Sequence, residues 1–253
     1  MSTPKVVAIV QARMGSSRLP GKVLADLNGQ PVLAWVLRRT QRAAGIHQVA
    51  VAAPIGELDD PLAAYCAEQG IPCVRGSLHD VLDRYMHTAR QTEADVIVRI
   101  TADCPFIDPG LLGEYVQKFI SADPPLDFAA NRLPQGRTIP IGLDAELCTR
   151  AALETVWAEA QEPYQREHVM PFFYEHPERF HIAEFTQQPA HGNLRWTVDT
   201  PEDLELARTI ASHFVDDTFS WKDILALFAA NPNLANISAS VQHKDYRQVD
   251  ERR

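Results

Sequence analysis

The 253-residue sequence has no excess of positive charge: Lys and Arg number 24 against 33 Asp and Glu, a formal net charge of −9. A sequence-independent nucleic-acid binder needs a basic face to displace counterions from phosphates, so that class is excluded. No apolar stretch approaches the roughly 20 residues of a membrane helix, so no membrane partner is expected. The run Val6 to Val10 is too short for a signal-peptide core and no small-residue cleavage site follows, so a cytoplasmic protein is expected. The four cysteines, Cys66, Cys73, Cys104 and Cys148, form no CxxC pair, and reduced thiols are expected. His168, His176, His181 and His191 cluster loosely but lack a zinc spacing such as HExxH. No repeat, charge block or flexible linker divides the chain. A single domain over 1–240 is expected, with a polar, partly disordered tail over 241–253.

What is present is alternation. Val6 to Val10, Val49 to Ala53 and Val96 to Ile100 read as buried strands. Helix-like stretches at Pro31 to Ala44, Pro61 to Gln69 and Val81 to Arg90 lie between or beside them. This rhythm predicts an α/β fold with a mostly parallel sheet covered by helices on both faces. After Pro124 the rhythm loosens. Asp127 to Ala130, Leu143 to Leu147, Phe180 to Phe185 and Leu194 to Val198 read as extended, and the segment from Asn131 to Ile141 as a loop. Helices are expected over Arg150 to Ala160, Arg166 to Tyr174, Pro201 to His213 with Thr200 as N-cap, and Ser220 to Ala230.

The most informative segment follows the first strand: Gln11-Ala12-Arg13-Met14-Gly15-Ser16-Ser17-Arg18-Leu19-Pro20-Gly21-Lys22-Val23-Leu24. Ligands of open parallel sheets bind beyond the carboxyl ends of the strands. Here Arg13, Arg18 and Lys22 concentrate positive charge in an acidic protein, and Gly15 and Ser16 let backbone amides approach a ligand. A polyanion such as a triphosphate fits that loop. A Walker A loop is disfavoured, because five residues separate Gly15 from Gly21 and Val23 stands where the metal-binding hydroxyl belongs. The dinucleotide fingerprint GxGxxG is absent there too.

This loop resembles the signature of the cytidylyltransferases that make CMP-activated acidic sugars, nearest the branch named for spore coat polysaccharide biosynthesis protein F. Further segments match in order: Arg75-Gly76-Ser77 with Asp80-Val81-Leu82-Asp83-Arg84-Tyr85, Arg99-Ile100-Thr101-Ala102-Asp103-Cys104-Pro105, Gly142-Leu143-Asp144-Ala145-Glu146, Glu167-His168-Val169, and Arg195-Trp196-Thr197-Val198-Asp199-Thr200-Pro201. The resemblance implies a Rossmann-like nucleotidyltransferase (GT-A-like) fold, with a substrate-side and dimerisation region around 130–190 and a homodimer. It implies transfer of CMP from CTP to an acidic sugar or a phosphorylated small-molecule acceptor, with release of pyrophosphate, in the synthesis of surface polysaccharide precursors. Mg²⁺ is the implied cofactor.

Such a reaction is mainly positioning and charge neutralisation. Lys22, Arg18 and Asp103 are the candidate catalytic residues. Asp103 and Asp199 each follow an expected strand, so both reach one crevice, and in the resembled family aspartates at these positions hold the magnesium. Gln11, Ala12, Arg13, Gly15, Ser16, Thr101 and Ala102 are candidates for the nucleotide, with Arg75 a further one. Asp83 and Arg84 lie on a helix face, where pairing with neighbouring charges is the common fate. Alternation places Asp144 and Glu146 on one face of a strand, either a solvated edge or a row of acceptors for substrate hydroxyls. Arg166, Glu167 and His168 are candidates to bind the acceptor, and His168, with a pKa near neutrality, is also a candidate base. Two other classes compete: a glycosyltransferase, which usually carries a DxD pair missing here from the strand ends, and a non-catalytic nucleotide-binding protein.

Overall fold

The computed structural model describes residues 3–133 and 136–241. The expected disorder of 242–253 lies outside the described residues. The elements in order are β1 (Val6–Gln11), β2 (Asp26–Leu27), β3 (Gln30–Pro31), α1 (Val32–Gln41), β4 (Gln48–Pro54), α2 (Asp60–Glu68), β5 (Cys73–Gly76), α3 (Val81–Gln91), β6 (Val96–Thr101) and α4 (Pro109–Ile120). They continue with β7 (Phe128–Ala130), β8 (Arg132–Leu133), β9 (Gly136–Arg137), β10 (Glu146–Thr149), α5 (Arg150–Glu159), α6 (Pro163–His168), α7 (Pro171–Glu175), β11 (Ile182–Glu184), α8 (Pro201–Ser212) and α9 (Trp221–Ala230).

A seven-stranded sheet runs in the order β11-β7-β10-β6-β1-β4-β5. Its strands are parallel except β10, which is antiparallel to both β6 and β7. The continuous apolar run of β1 explains its central place: both faces are covered. Val6, Ala8 and Val10 join one core, with α1, α4 and α8, and Val7 and Ile9 join the other, with α3 and α5. The expected α/β architecture is the observed one. Among the described residues, no helix is long and apolar enough to cross a membrane.

Local chemistry sets the boundaries. Thr149, Thr200 and Ser220 each cap the helix that follows, accepting a bond from a backbone N–H in its first turn. Three expectations are corrected. Arg166 to Tyr174 is not one helix, because Val169 sits at φ +70 and separates α6 from α7. The strand expected over Leu143 to Leu147 is β10, displaced toward the carboxyl end, and Asp144 precedes it. Leu194 to Val198 is no strand; it makes a single bridge, Ile141 to Arg195. The edge strand β5, the short hairpins β2–β3 and β8–β9, and helix α4, whose start is capped by the Asp108 side chain, were not anticipated.

The fold's service to the site is a joint between distant segments. Val198 N donates to the Asp103 carbonyl at 2.8 Å, and Thr197 Oγ1 donates to the same oxygen at 3.0 Å. Trp196 N donates to the Ile141 carbonyl at 2.7 Å. Residues 194–199 therefore run against the end of β6 and bring Asp199 beside Asp103. Gly142 makes the joint possible. It lies at φ +103, and a Cβ there would meet Thr197 N and Trp196 C at 2.8 Å.

Gly142→Ala is expected to cost about 2–4 kcal/mol, from backbone strain plus a clash with backbone that cannot yield. Gly70→Ala is the control: Gly70 is at φ +66 with nothing within 4 Å of the added carbon, so it carries strain alone. Urea denaturation of both variants checks this, and equal costs would show that the close approach contributes nothing.

Candidate functional site

The loop after β1 folds on itself. Ser16 N and Gly21 N both donate to the Met14 carbonyl, at 2.9 and 2.8 Å, and Gly21 takes φ +73. Met14 N donates to Asp59 Oδ1 at 2.7 Å, so the buried Asp59 just before α2 ties the loop down. This folding delivers Lys22 to the sheet.

Lys22 Nζ donates to Asp103 Oδ2 and Asp199 Oδ1, both at 2.7 Å. The two acceptor oxygens are thus at most 5.4 Å apart, because both touch one nitrogen at 2.7 Å. Asp199 Oδ2 is also met by Arg195 Nη2 at 2.6 Å and Arg18 Nη2 at 3.0 Å. Arg195 continues to Asp203, whose carboxylate receives Asp199 N and Thr200 N at the start of α8. Burial works against the Lys22 ammonium, but Asp103 and Asp199 outweigh it and raise its pKa. Burial works against the Asp199 carboxylate as well, yet Lys22, with Arg195 and Arg18, holds it far below the usual carboxylate range.

Beside this cluster lies a second polar layer on the face of β1 that carries Ile9. Gln11 Oε1 accepts from Arg99 Nε at 3.1 Å. Arg99 pairs with Glu146, its partner across the β6–β10 ladder, and Glu146 also accepts from the Tyr174 hydroxyl. Glu146 is thus buried, not on a solvated edge. Asp144 pairs with Arg137 and accepts from Gly142 N at 3.2 Å. Burial disfavours the Asp144 carboxylate, but Arg137 and Arg132 hold its pKa down. Arg132 is half-buried, and its charge is supported through space by Glu146 and Asp144.

The structure brings together Gln11, Arg18, Lys22, Thr101, Asp103, Asp144, Glu146 and Asp199 of the expected site residues. Arg13, Gly15 and Ser16 lie on the same loop. Ala12 and Ala102 are buried with their amides bonded to the Ala52 and Gln11 carbonyls. Two residues face elsewhere. Arg75 spends its guanidinium on Pro54 O, Gly56 O and Asp60, and Arg166 clasps Asp80 and the Trp157 carbonyl, so both fasten loops. Glu167 and His168 close α6, half-buried. Asp83 accepts from the Trp157 indole at 2.9 Å and lies 3.5 Å from His87, so a helix-face partner is indeed its fate. Arg84 is not on a solvated face at all; it is 2% exposed. Sequence reasoning missed Arg195, Arg99 and Asp59 as site residues. Arg195 had a signal in its four-residue spacing to Asp199, and Arg99 in being the one charge inside an apolar strand.

Comparison with known proteins converges on one family. The family described as cytidylyltransferase matches residues 7–225. The Bacillus subtilis spore coat polysaccharide biosynthesis protein SpsF is 30% identical over 239 residues, covering 91% of this chain and 96% of that one. A solved cytidylyltransferase from Leptospira borgpetersenii superposes with a TM-score of 0.88 at 32% identity, covering 95% of this chain and all of that one. A CMP:2-keto-3-deoxy-manno-octonic acid synthetase solved with CTP shares the fold, with a TM-score of 0.63 at 22% identity over 83% of this chain and 99% of that one.

Arg195→Met leaves the Asp203 carboxylate, whose side chain is 1% exposed, with backbone donors alone. The expected cost is about 3 kcal/mol, the scale of breaking a buried ion pair from one side. Arg195→Lys should recover only part of it, because an ammonium lacks the fork that spans two carboxylates. Unfolding midpoints of the three proteins decide; a midpoint unchanged by Arg195→Met would show that the capping bonds suffice.

Proposed function

The chain belongs to the cytidylyltransferase family and is a nucleotidyltransferase, and on that premise we propose that it transfers CMP from CTP to an acidic sugar or a related phosphorylated acceptor, with Mg²⁺ and release of pyrophosphate. The observation that carries this reading is the Lys22 ammonium held between Asp103 and Asp199 at the carboxyl ends of the strands, beneath a loop bearing Arg13 and Arg18.

The acceptor oxygen attacks the α-phosphorus of CTP, and the bond from that phosphorus to the bridging oxygen of pyrophosphate breaks. Arg13, Arg18 and Lys22 neutralise the triphosphate and the departing charge. Among the described residues no cluster of three or more His, Cys, Asp and Glu is set to hold a metal. Two carboxylates reaching one point nonetheless suit Mg²⁺, which takes one or two protein carboxylates and completes its shell with phosphate oxygens and water. Asp103 and Asp199 would hold it, and when bound it would supply positive charge to the triphosphate.

The second polar layer supports an anionic acceptor. Three guanidinium groups, of Arg99, Arg132 and Arg137, face two carboxylates, of Glu146 and Asp144, so one positive charge is left for a substrate. Glu146 and Asp144 then act as anchors of these arginines. The relationship to a spore coat polysaccharide protein supports a role in making polysaccharide precursors.

Pyrophosphate release, measured with each nucleoside triphosphate, Mg²⁺ and a panel of sugar acids and sugar phosphates, tests the reading; turnover confined to ATP or GTP would overturn the choice of CTP. Lys22→Ala should lower turnover about 10²–10³-fold, the scale of one transition-state charge contact. Wild-type turnover in that variant at saturating CTP would remove Lys22 from the site. Asp103→Asn and Asp199→Asn should each raise the Mg²⁺ requirement and lower turnover, and together cost less than the product of their separate effects, because both serve one ion. Unchanged magnesium titrations in both variants would dissolve the shared site.

A further inference from the structure

The site gives Lys22 two tasks that one ammonium cannot perform at once. Nζ lies 2.7 Å from Asp103 Oδ2 and 2.7 Å from Asp199 Oδ1, on the two carboxylates that suit a divalent ion. The same ammonium is also a partner for a triphosphate. The other Asp199 oxygen, Oδ2, faces Arg195 Nη2 at 2.6 Å and Arg18 Nη2 at 3.0 Å. Three of the four oxygens of this aspartate pair therefore face a cation already. Arg195 is shared with Asp203, so Lys22, Arg18 and Arg195 stand against Asp103, Asp199 and Asp203. Together these six groups carry no net charge.

A dication brought to that cluster by itself gains little. It competes with the ammonium for the same two oxygens, and Nζ is its close neighbour because each oxygen is 2.7 Å from it. The Lys22 side chain is 10% exposed, so water and salt screen that repulsion weakly. A triphosphate changes the balance. It brings several negative charges at once, so it can take the ammonium and leave the carboxylates to the ion. Lys22 is suited to such a transfer. Its backbone is fixed, with Lys22 N donating to the Leu19 carbonyl at 3.2 Å and Ala25 N donating to the Lys22 carbonyl at 3.1 Å. Its side chain is a point charge on a flexible stem with rotatable donors, unlike the rigid fork of an arginine.

We propose that Lys22 is an exchangeable counter-ion that closes the Asp103–Asp199 pair to a divalent cation until a nucleoside triphosphate draws the ammonium away. The ion then enters with the nucleotide and not ahead of it. The proposal rests on the reading that these carboxylates hold Mg²⁺ and that the loop holds a triphosphate. The coupling is reciprocal: whatever factor the nucleotide adds to ion affinity, the ion adds to nucleotide affinity.

The test is binding of Mn²⁺ alone, without nucleotide, to the full chain and to Lys22→Met, Lys22→Gln and Lys22→Arg, read from the loss of the free-ion electron paramagnetic resonance signal. The two neutral variants should bind one Mn²⁺ about 10–100-fold more tightly than wild type, within the usual range of coupling between sites. Lys22→Arg keeps the charge and should stay with wild type. Adding Asp103→Asn to Lys22→Met should erase the gain, because the ion sits on the aspartate pair. Melting the same proteins gives a second readout: Mn²⁺ should raise the midpoint of the neutral variants and not that of wild type. A neutral variant that folds only with Mn²⁺ supports the proposal, since the ion has then replaced the ammonium. Should neither neutral variant fold, wild type decides, and a tight one-to-one Mn²⁺ site in it overturns the proposal. Wild type or Lys22→Arg binding Mn²⁺ as tightly as Lys22→Met overturns the proposal and leaves the Mg²⁺ and CTP reading standing. Folded neutral variants that gain no Mn²⁺ site would overturn the proposal together with the assignment of the ion to Asp103 and Asp199.

Discussion

The organisation of this protein depends on one ammonium group shared by two carboxylates. Lys22 comes from the loop after the first strand, Asp103 from the end of β6, and Asp199 from the approach to α8. Two aspartates this close repel each other, and neither is exposed enough to let water screen the repulsion fully. The ammonium, flanked by Arg18 and Arg195, makes their approach favourable. Everything else in the site is arranged to hold these three chain segments at one point: the Met14 amide on Asp59, the Val198 amide on the Asp103 carbonyl, and the bare Cα of Gly142 against residues 196 and 197.

Burial explains why the second layer takes the form it does. A lone arginine inside β6 would be ruinous without a partner, and the antiparallel β10 supplies Glu146 directly across from it. Replacing such a pair with apolar residues is often neutral for stability, so its presence beside the Lys22 cluster is better explained by what Arg99 does for Gln11 than by what it does for the core.

Much of this was legible in the sequence, unevenly. The parallel half of the sheet announced itself through runs such as Val6 to Val10, because a strand covered on both faces has to be apolar throughout. Lys22, Asp103 and Asp199 were legible because each lies in a run whose residues have local meaning: a glycine-bearing basic loop, or an aspartate at a strand end. Residues 194–198 were not, since an apolar stretch looks the same whether it pairs as a strand or merely leans on one. Arg75 and Arg84 mark the limit. Both are arginines near the end of β5, and nothing in their spacing says that the first fastens a loop while the second turns inward; that depends on Gly76, which leaves room on one side only.

The reversed strand β10 gives the chain a modular character. Asp103, Asp199 and Lys22 lie outside the stretch from β7 to β11, which is fastened to the rest of the sheet through β10 against β6. On the proposed reading, that stretch behaves as a cassette: its arginines and carboxylates set which acceptor enters, while the nucleotide half stays in place. On that reading the acceptor side can be changed by rewriting one contiguous block of sequence, provided that position 146 still answers the charge at position 99.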